Sequence, residues 1–126
     1  MFSHVMLGAD DIEASKKFYD ACFMAIGGRE GSVDPKGRVM YIKDGSVFML
    51  TNPIDGNPAS CGNGSTIGFA VESTEQADAW HAAGLANGGT AIEDPPGIRE
   101  GAGMKLYLAY LRDPAGNKIC TMMRVG

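Results

Sequence analysis

The sequence has no basic run, no apolar stretch long enough to cross a bilayer and no paired-cysteine motif. Among 126 residues, 11 are Lys or Arg and 15 are Asp or Glu, giving a formal net charge of −4. The scattered cations make nucleic acid and anionic membrane surfaces poor partners. A membrane-spanning helix needs about 20 consecutive apolar residues, and no segment supplies them. Cys22, Cys61 and Cys120 are odd in number and lack CxxC spacing. That argues against a disulfide framework and structural zinc, and for a reducing cytoplasm. The N-terminus enters a strand-like pattern at once, with no basic segment ahead of an apolar core, so no signal peptide is expected. "GNGSTIG" contains a GxG but precedes a strand, not a helix, which is the wrong geometry for cradling phosphate. Nothing in the sequence supports a Ser-His-Asp arrangement or a carboxylate pair.

What is present is an internal repeat. "SHVMLGADDI", from Ser3, aligns with "STIGFAVEST", from Ser65, at an offset that pairs His4 with Thr66. The same offset pairs Glu13 with Glu75, Phe18 with Trp80 and Gly27 with Gly89. In each copy a short strand leads to an amphipathic helix, near Ile12–Ile26 and Glu75–Asn87. Asp10 with Glu13, and Ser73 with Gln76, have capping-box spacing, and the glycine pairs 27–28 and 88–89 supply positive-φ endings. The second helix would bury Trp80, His81, Gly84 and Leu85. Three strands follow each helix: near Arg29–Ser32, Arg38–Lys43 and Ser46–Thr51, then near Thr90–Glu93, Lys105–Arg112 and Lys118–Met123. "DPKG", "KDG", "DPPG" and "DPAGN" mark the turns. The expected fold is therefore α+β, one domain over residues 1–126. It comprises two βαβββ modules, about 1–52 and 64–126, with a Gly- and Pro-bearing connector at 53–63.

Paired βαβββ modules, "DDIEASKKFYD" after the first strand and "DPAGN" before the last resemble the vicinal oxygen chelate superfamily. This group comprises the glyoxalases, bleomycin-resistance proteins and extradiol dioxygenases. The resemblance implies an incomplete mixed β-barrel around a pocket, helices outside, and a homodimer. It places the four usual metal-ligand positions at His4, Met49, Thr66 and Cys120. Only His4 is a usual ligand there. Thr is a poor neutral donor, Met suits soft ions and Cys suits zinc or copper(I). A divalent metal is therefore disfavoured, with His4 and Cys120 the only weak candidates. The expected function is a metal-poor small-molecule pocket; a lyase or dioxygenase with an atypical site, or a non-catalytic drug- or metabolite-binding protein, are the alternatives.

Strand alternation would turn His4, Met6, Gly8, Thr66, Gly68 and Ala70 toward the pocket, and Val5, Leu7, Ile67, Phe69 and Val71 toward the helices. His4 is read as a base, a hydrogen-bond donor or a satisfied inward histidine. Cys120 would be a nucleophile only if a neighbour lowered its pKa. Tyr107 and Tyr110 fall on opposite faces of one strand, and Tyr107 is the one assigned to catalysis. Arg99, in the long loop "EDPPGIREGAGMK", either reaches a ligand carboxylate or phosphate or is solvated. His81 is read as structural. Met49 and the tyrosines could equally fill the pocket.

Overall fold

The computed structural model describes all residues, Met1–Gly126. The first module contains β1 (Val5–Gly8), α1 (Ile12–Ala25), β2 (Ser32–Val33), β3 (Val39–Lys43) and β4 (Ser46–Thr51). The second contains β5 (Ile67–Ala70), α2 (Thr74–Ala86), β6 (Thr90–Ala91), β7 (Gly97–Gly101), β8 (Met104–Arg112) and β9 (Lys118–Arg124). Each module forms its own mixed sheet. The strand orders are β1-β4-β3-β2 and β5-β9-β8-β6, with β7 also pairing β8. In each, the first strand runs parallel to the last, Met6 opposite Met49 and Gly68 opposite Cys120. The two βαβββ-like modules and their α+β class agree with the sequence pattern.

Local chemistry explains where each helix starts and stops. Asp11, not Asp10, caps α1, accepting from the Ala14 N–H at 3.0 Å. Asp10 instead accepts from the Ala59 N–H at 2.7 Å and ties down the connector. Ser73 caps α2 through the Gln76 N–H, while the Gln76 side chain reaches back to the Glu72 N–H. Both helices close in the same way, with Gly27 at φ 84° and Gly88 at φ 98°. Gly28 and Gly89 then donate to the Phe23 and Gly84 carbonyls at 2.7 and 2.8 Å. This left-handed ending is open to glycine at little cost.

The core lies where the helices meet each other and the sheets. Phe18, Tyr19, Cys22 and Phe23 of α1 and Ala77 and Trp80 of α2 are buried with Val39, Leu50, Leu111 and Ile119. Val5, Leu7, Ile67 and Phe69 pack against this cluster, as alternation requires. On α2, however, Leu85 is exposed and Gly84 takes the buried position. A side chain cannot fit where α2 approaches α1 so closely.

The loop "EDPPGIREGAGMK" is mostly a β-hairpin and not irregular. Gly97–Gly101 pairs antiparallel with Met104–Leu108 around the two-residue turn Ala102-Gly103. Both turn residues have positive φ, 50° and 75°, the mirror-image turn whose twist matches a hairpin. Asp44-Gly45 turns β3 into β4 with the same signs.

Candidate functional site

β1 and β5 are each the edge strand of their sheet, and they face one another across an unpaired seam. A cleft of about 330 Å³ opens along that seam. Its walls are Phe23, Tyr41, Phe48 and Phe69, while His4 and Arg29 stand at its exposed mouth. Phe69 meets Phe23 at 85° and Phe48 at 87°, with ring centroids 5.1 and 5.3 Å apart. Such edge-to-face contacts are the favoured arrangement of aromatic rings. A second cleft of about 320 Å³, bordered by Ser60, Ser65, Asn117 and Lys118, lies along the same seam and is more polar.

The walls offer an apolar surface, not acid–base groups. Tyr41 turns its hydroxyl away, donating to Asp20 at 2.8 Å. Burial, then the bond to Asp20, pushes its pKa far above the ordinary tyrosine range. Asp20 also accepts from the Gly31 N–H and Lys16 Nζ, each at 2.8 Å. His4 is the one imidazole at the mouth, its Nδ1 2.8 Å from Ser3 Oγ. No carboxylate orients it, so it has the means to bond a ligand but not the partner of a triad.

Of the candidate catalytic, binding and metal residues named from the sequence, only His4 lines the larger cleft; Gly68 and Ala70, which strand alternation turns toward the pocket, line it too. Thr66 is exposed just before β5. Met49 is buried on β4, flanked in register by Met6 and Met40. Cys120 is buried on β9 between Gly68 and Tyr110. No hydrogen bond joins His4 to Cys120. Tyr107 donates to Asp78 of α2 at 2.7 Å and packs on the core side, so Tyr110 is the tyrosine on the opposite face. Arg99 spends its guanidinium on the carbonyls of Asp94, Pro95, Gly97 and Leu108, at 2.7–3.1 Å, pinning the β7 hairpin. It also lies 5.8 Å over the Tyr110 ring. Burial lowers the His81 pKa, opposed by the neighbouring Tyr110 backbone.

Phe23, Tyr41, Phe48, Phe69 and Arg29 were not expected at the site. Strand parity assigns Phe69 to packing, and it does pack. The gap beside it comes from how the two sheets sit, which no periodicity encodes. The only hint in the sequence is the density of aromatics near the end of α1 and the β3–β4 hairpin.

The four ligand positions implied by the superfamily resemblance do not assemble a metal centre. No group of three or more His, Cys, Asp or Glu side chains lies where it could hold an ion. A Thr, a Met and a buried thiol beside one His do not fit a divalent first-row metal.

The thiols give a direct check on this geometry. Burial raises Cys22 to about 12 and Cys120 to about 11, Lys118 pulling the second down slightly, against an ordinary 9.0. The folded state thus holds these protons more tightly than the unfolded state. That contribution to stability is complete below pH 9 and lost as pH rises through 11 to 12. The melting temperature should fall across that window. At neutral pH a chromogenic disulfide reagent should titrate exposed Cys61 at once, and buried Cys22 and Cys120 only on unfolding. Native-state reaction of Cys120 as fast as Cys61 would overturn the placement.

The sequence matches the family model of the Glyoxalase/Bleomycin resistance protein/Dioxygenase superfamily over residues 1–121. No curated protein matches the chain. Among solved structures, a glyoxalase/bleomycin resistance protein from Albidiferax ferrireducens T118 is 58% identical. The match covers 97% of this chain and 98% of that one, with a TM-score of 0.93. A glyoxalase/bleomycin resistance protein/dioxygenase family enzyme from Burkholderia phytofirmans PsJN is 20% identical, over 95% of each chain, with a TM-score of 0.70. A lactoylglutathione lyase from Agrobacterium tumefaciens is 22% identical over 97% of this chain and 92% of that one, with a TM-score of 0.65. The last two likenesses extend to the fold alone.

Proposed function

Because the chain belongs to the glyoxalase/bleomycin resistance protein/dioxygenase superfamily, we propose that it binds a small apolar molecule, without a metal, in the cleft between its two modules. The observation that carries this reading is the aromatic-walled cleft of about 330 Å³. That volume falls within the range of small-molecule sites, which are mostly apolar with few polar groups. His4 would supply a hydrogen bond at the mouth. The protein acts as a homodimer in this reading. The sheet faces turned from the helices carry exposed Ile42 and Met122, and β1 and β5 keep unpaired edges. Such edges and apolar faces are usually covered.

Three measurements test the proposal. Metal analysis of the purified protein should find no stoichiometric ion, and added Zn²⁺, Ni²⁺, Mn²⁺ or Fe²⁺ should leave the melting temperature unchanged. A bound ion lost on His4→Ala would sink the metal-free reading. Light scattering should give twice the 13.3 kDa chain mass; a monomer would remove the dimer. Ala70→Trp places a bulky ring in the cleft from an exposed position. It should abolish ligand-induced thermal shifts without altering the far-UV circular dichroism.

A further inference from the structure

Arg29 is the one cation lining the cleft with no ion pair or hydrogen bond. The turn Gly27-Gly28 carries the chain out of α1, and Arg29 follows at once, exposed at the mouth. The other lining cation, Lys43, is held by Asp44 at 2.8 Å. Asp44 is also the only carboxylate among the lining residues. The cleft is therefore locally cationic in a chain of net charge −4. Behind the charge stand the rings of Phe23, Phe48 and Phe69, then the small exposed Gly68 and Ala70. An apolar slot with one free guanidinium at its entrance has a definite complement.

We infer that the cleft takes a flat apolar anion, an aromatic carboxylate of one or two rings, with its ring against Phe23, Phe48 and Phe69 and its carboxylate met by Arg29. The inference rests on the proposed use of the cleft as a binding site and adds the class of ligand. The cleft volume lies at the small end of the range for ligand pockets, which excludes larger conjugates from full burial. A cationic ligand would find no free carboxylate among the lining residues. A nucleotide would need several phosphate partners, and only one guanidinium is free. Guanidinium and carboxylate match in a two-pronged hydrogen-bonded pair, and the exposed Ser3 and Ser46 also line the cleft.

Titration calorimetry with 2-naphthoate, its neutral amide and 2-naphthylmethylammonium tests the inference. The naphthoate should bind roughly 10-fold more tightly than the amide, and the ammonium more weakly than either. Arg29→Gln should cost the naphthoate about that factor and leave the amide unchanged. Arg29→Lys should keep part of the preference, and added salt should reduce it. Equal binding of naphthoate and amide, or an equal loss of both in Arg29→Gln, would overturn the anion preference while leaving the cleft a binding site. If none of the three probes binds, or if binding survives Ala70→Trp, the cleft is not the site and both readings fall.

Discussion

Asp113→Ala should cost about 3–5 kcal/mol of stability, near the upper end of what single substitutions do. Asp113 opens the turn "DPAGN" between β8 and β9 and is only 3% exposed. One carboxylate oxygen accepts from the Ala115 and Asn117 backbone N–H groups, each at 2.9 Å. The other accepts from the Tyr19 hydroxyl at 2.7 Å and the Asn117 amide at 3.0 Å. Tyr19 is fully buried on α1, and the same Asn117 amide donates to the Gly8 carbonyl at 3.1 Å. The turn therefore fastens the second module to the helix and first strand of the first. Removing the carboxylate strands a buried hydroxyl and loosens the amide, at about 1–3 kcal/mol for each unsatisfied group. Asp113→Asn, which keeps one acceptor oxygen, should cost less. Tyr19→Phe should lose part of its own effect in the Asp113→Ala background, because the two share a bond. Urea denaturation reads all of these. A loss under about 1 kcal/mol for Asp113→Ala would mean that the turn does not join the modules.

That turn illustrates how much was legible beforehand. "DPAGN" announces a turn from residue types alone, and the repeat places it before the last strand. Its partner Tyr19 lies 94 residues away, and no local pattern links them. The modules, helix ends and strand parity could be read because capping, glycine endings and alternation act over a few residues. The β7 hairpin escaped because a non-glycine, Ala102, occupies a positive-φ turn position, where sequence favours Gly, Asn or Asp. The cleft escaped for a different reason. Parity says which face Phe69 uses, but the space beside it depends on the separation of two sheets that share no backbone hydrogen bonds.

The same distinction applies to the four positions implied by the resemblance, of which His4 lines the larger cleft and Met49, Thr66 and Cys120 do not. Met49 and Cys120 sit on sheet faces turned from the helices, buried by their own strand neighbours. The larger cleft opens among Phe23, Phe48 and Phe69, which pack toward the helices, and reaches His4, Gly68 and Ala70 at the two edge strands. In the proposed reading, ligand affinity depends on ring packing and one guanidinium, and not on an ion. The positioning of Phe23 becomes critical, and that positioning belongs to α1.

Gly84→Ala should therefore destabilise the protein and weaken ligand binding together. In a solvent-exposed helix the same change gains roughly 1 kcal/mol, because Ala is the better helix former. Here Gly84 is buried where α2 crosses α1, and a Cβ would run into Leu111 Cδ1. It would also lie 3.1 Å from Phe18 and 3.3 Å from the Cys22 sulfur. All three neighbours are fully buried, so none can swing into solvent. Overpacking of this kind costs about 1–3 kcal/mol, which outweighs the helix gain, and Gly84→Val should cost about 3 kcal/mol or more. Combining Gly84→Ala with Leu111→Ala should cost less than the sum of the two, since the second opens room for the first. Pushing α1 away also moves Phe23, which directly follows Cys22 on α1 and is a wall of the cleft. Naphthoate affinity should fall with stability in the Gly84 series and recover with Leu111→Ala. A stabilised Gly84→Ala protein would show that the helices are not in this contact, and that Phe23 is held by something else.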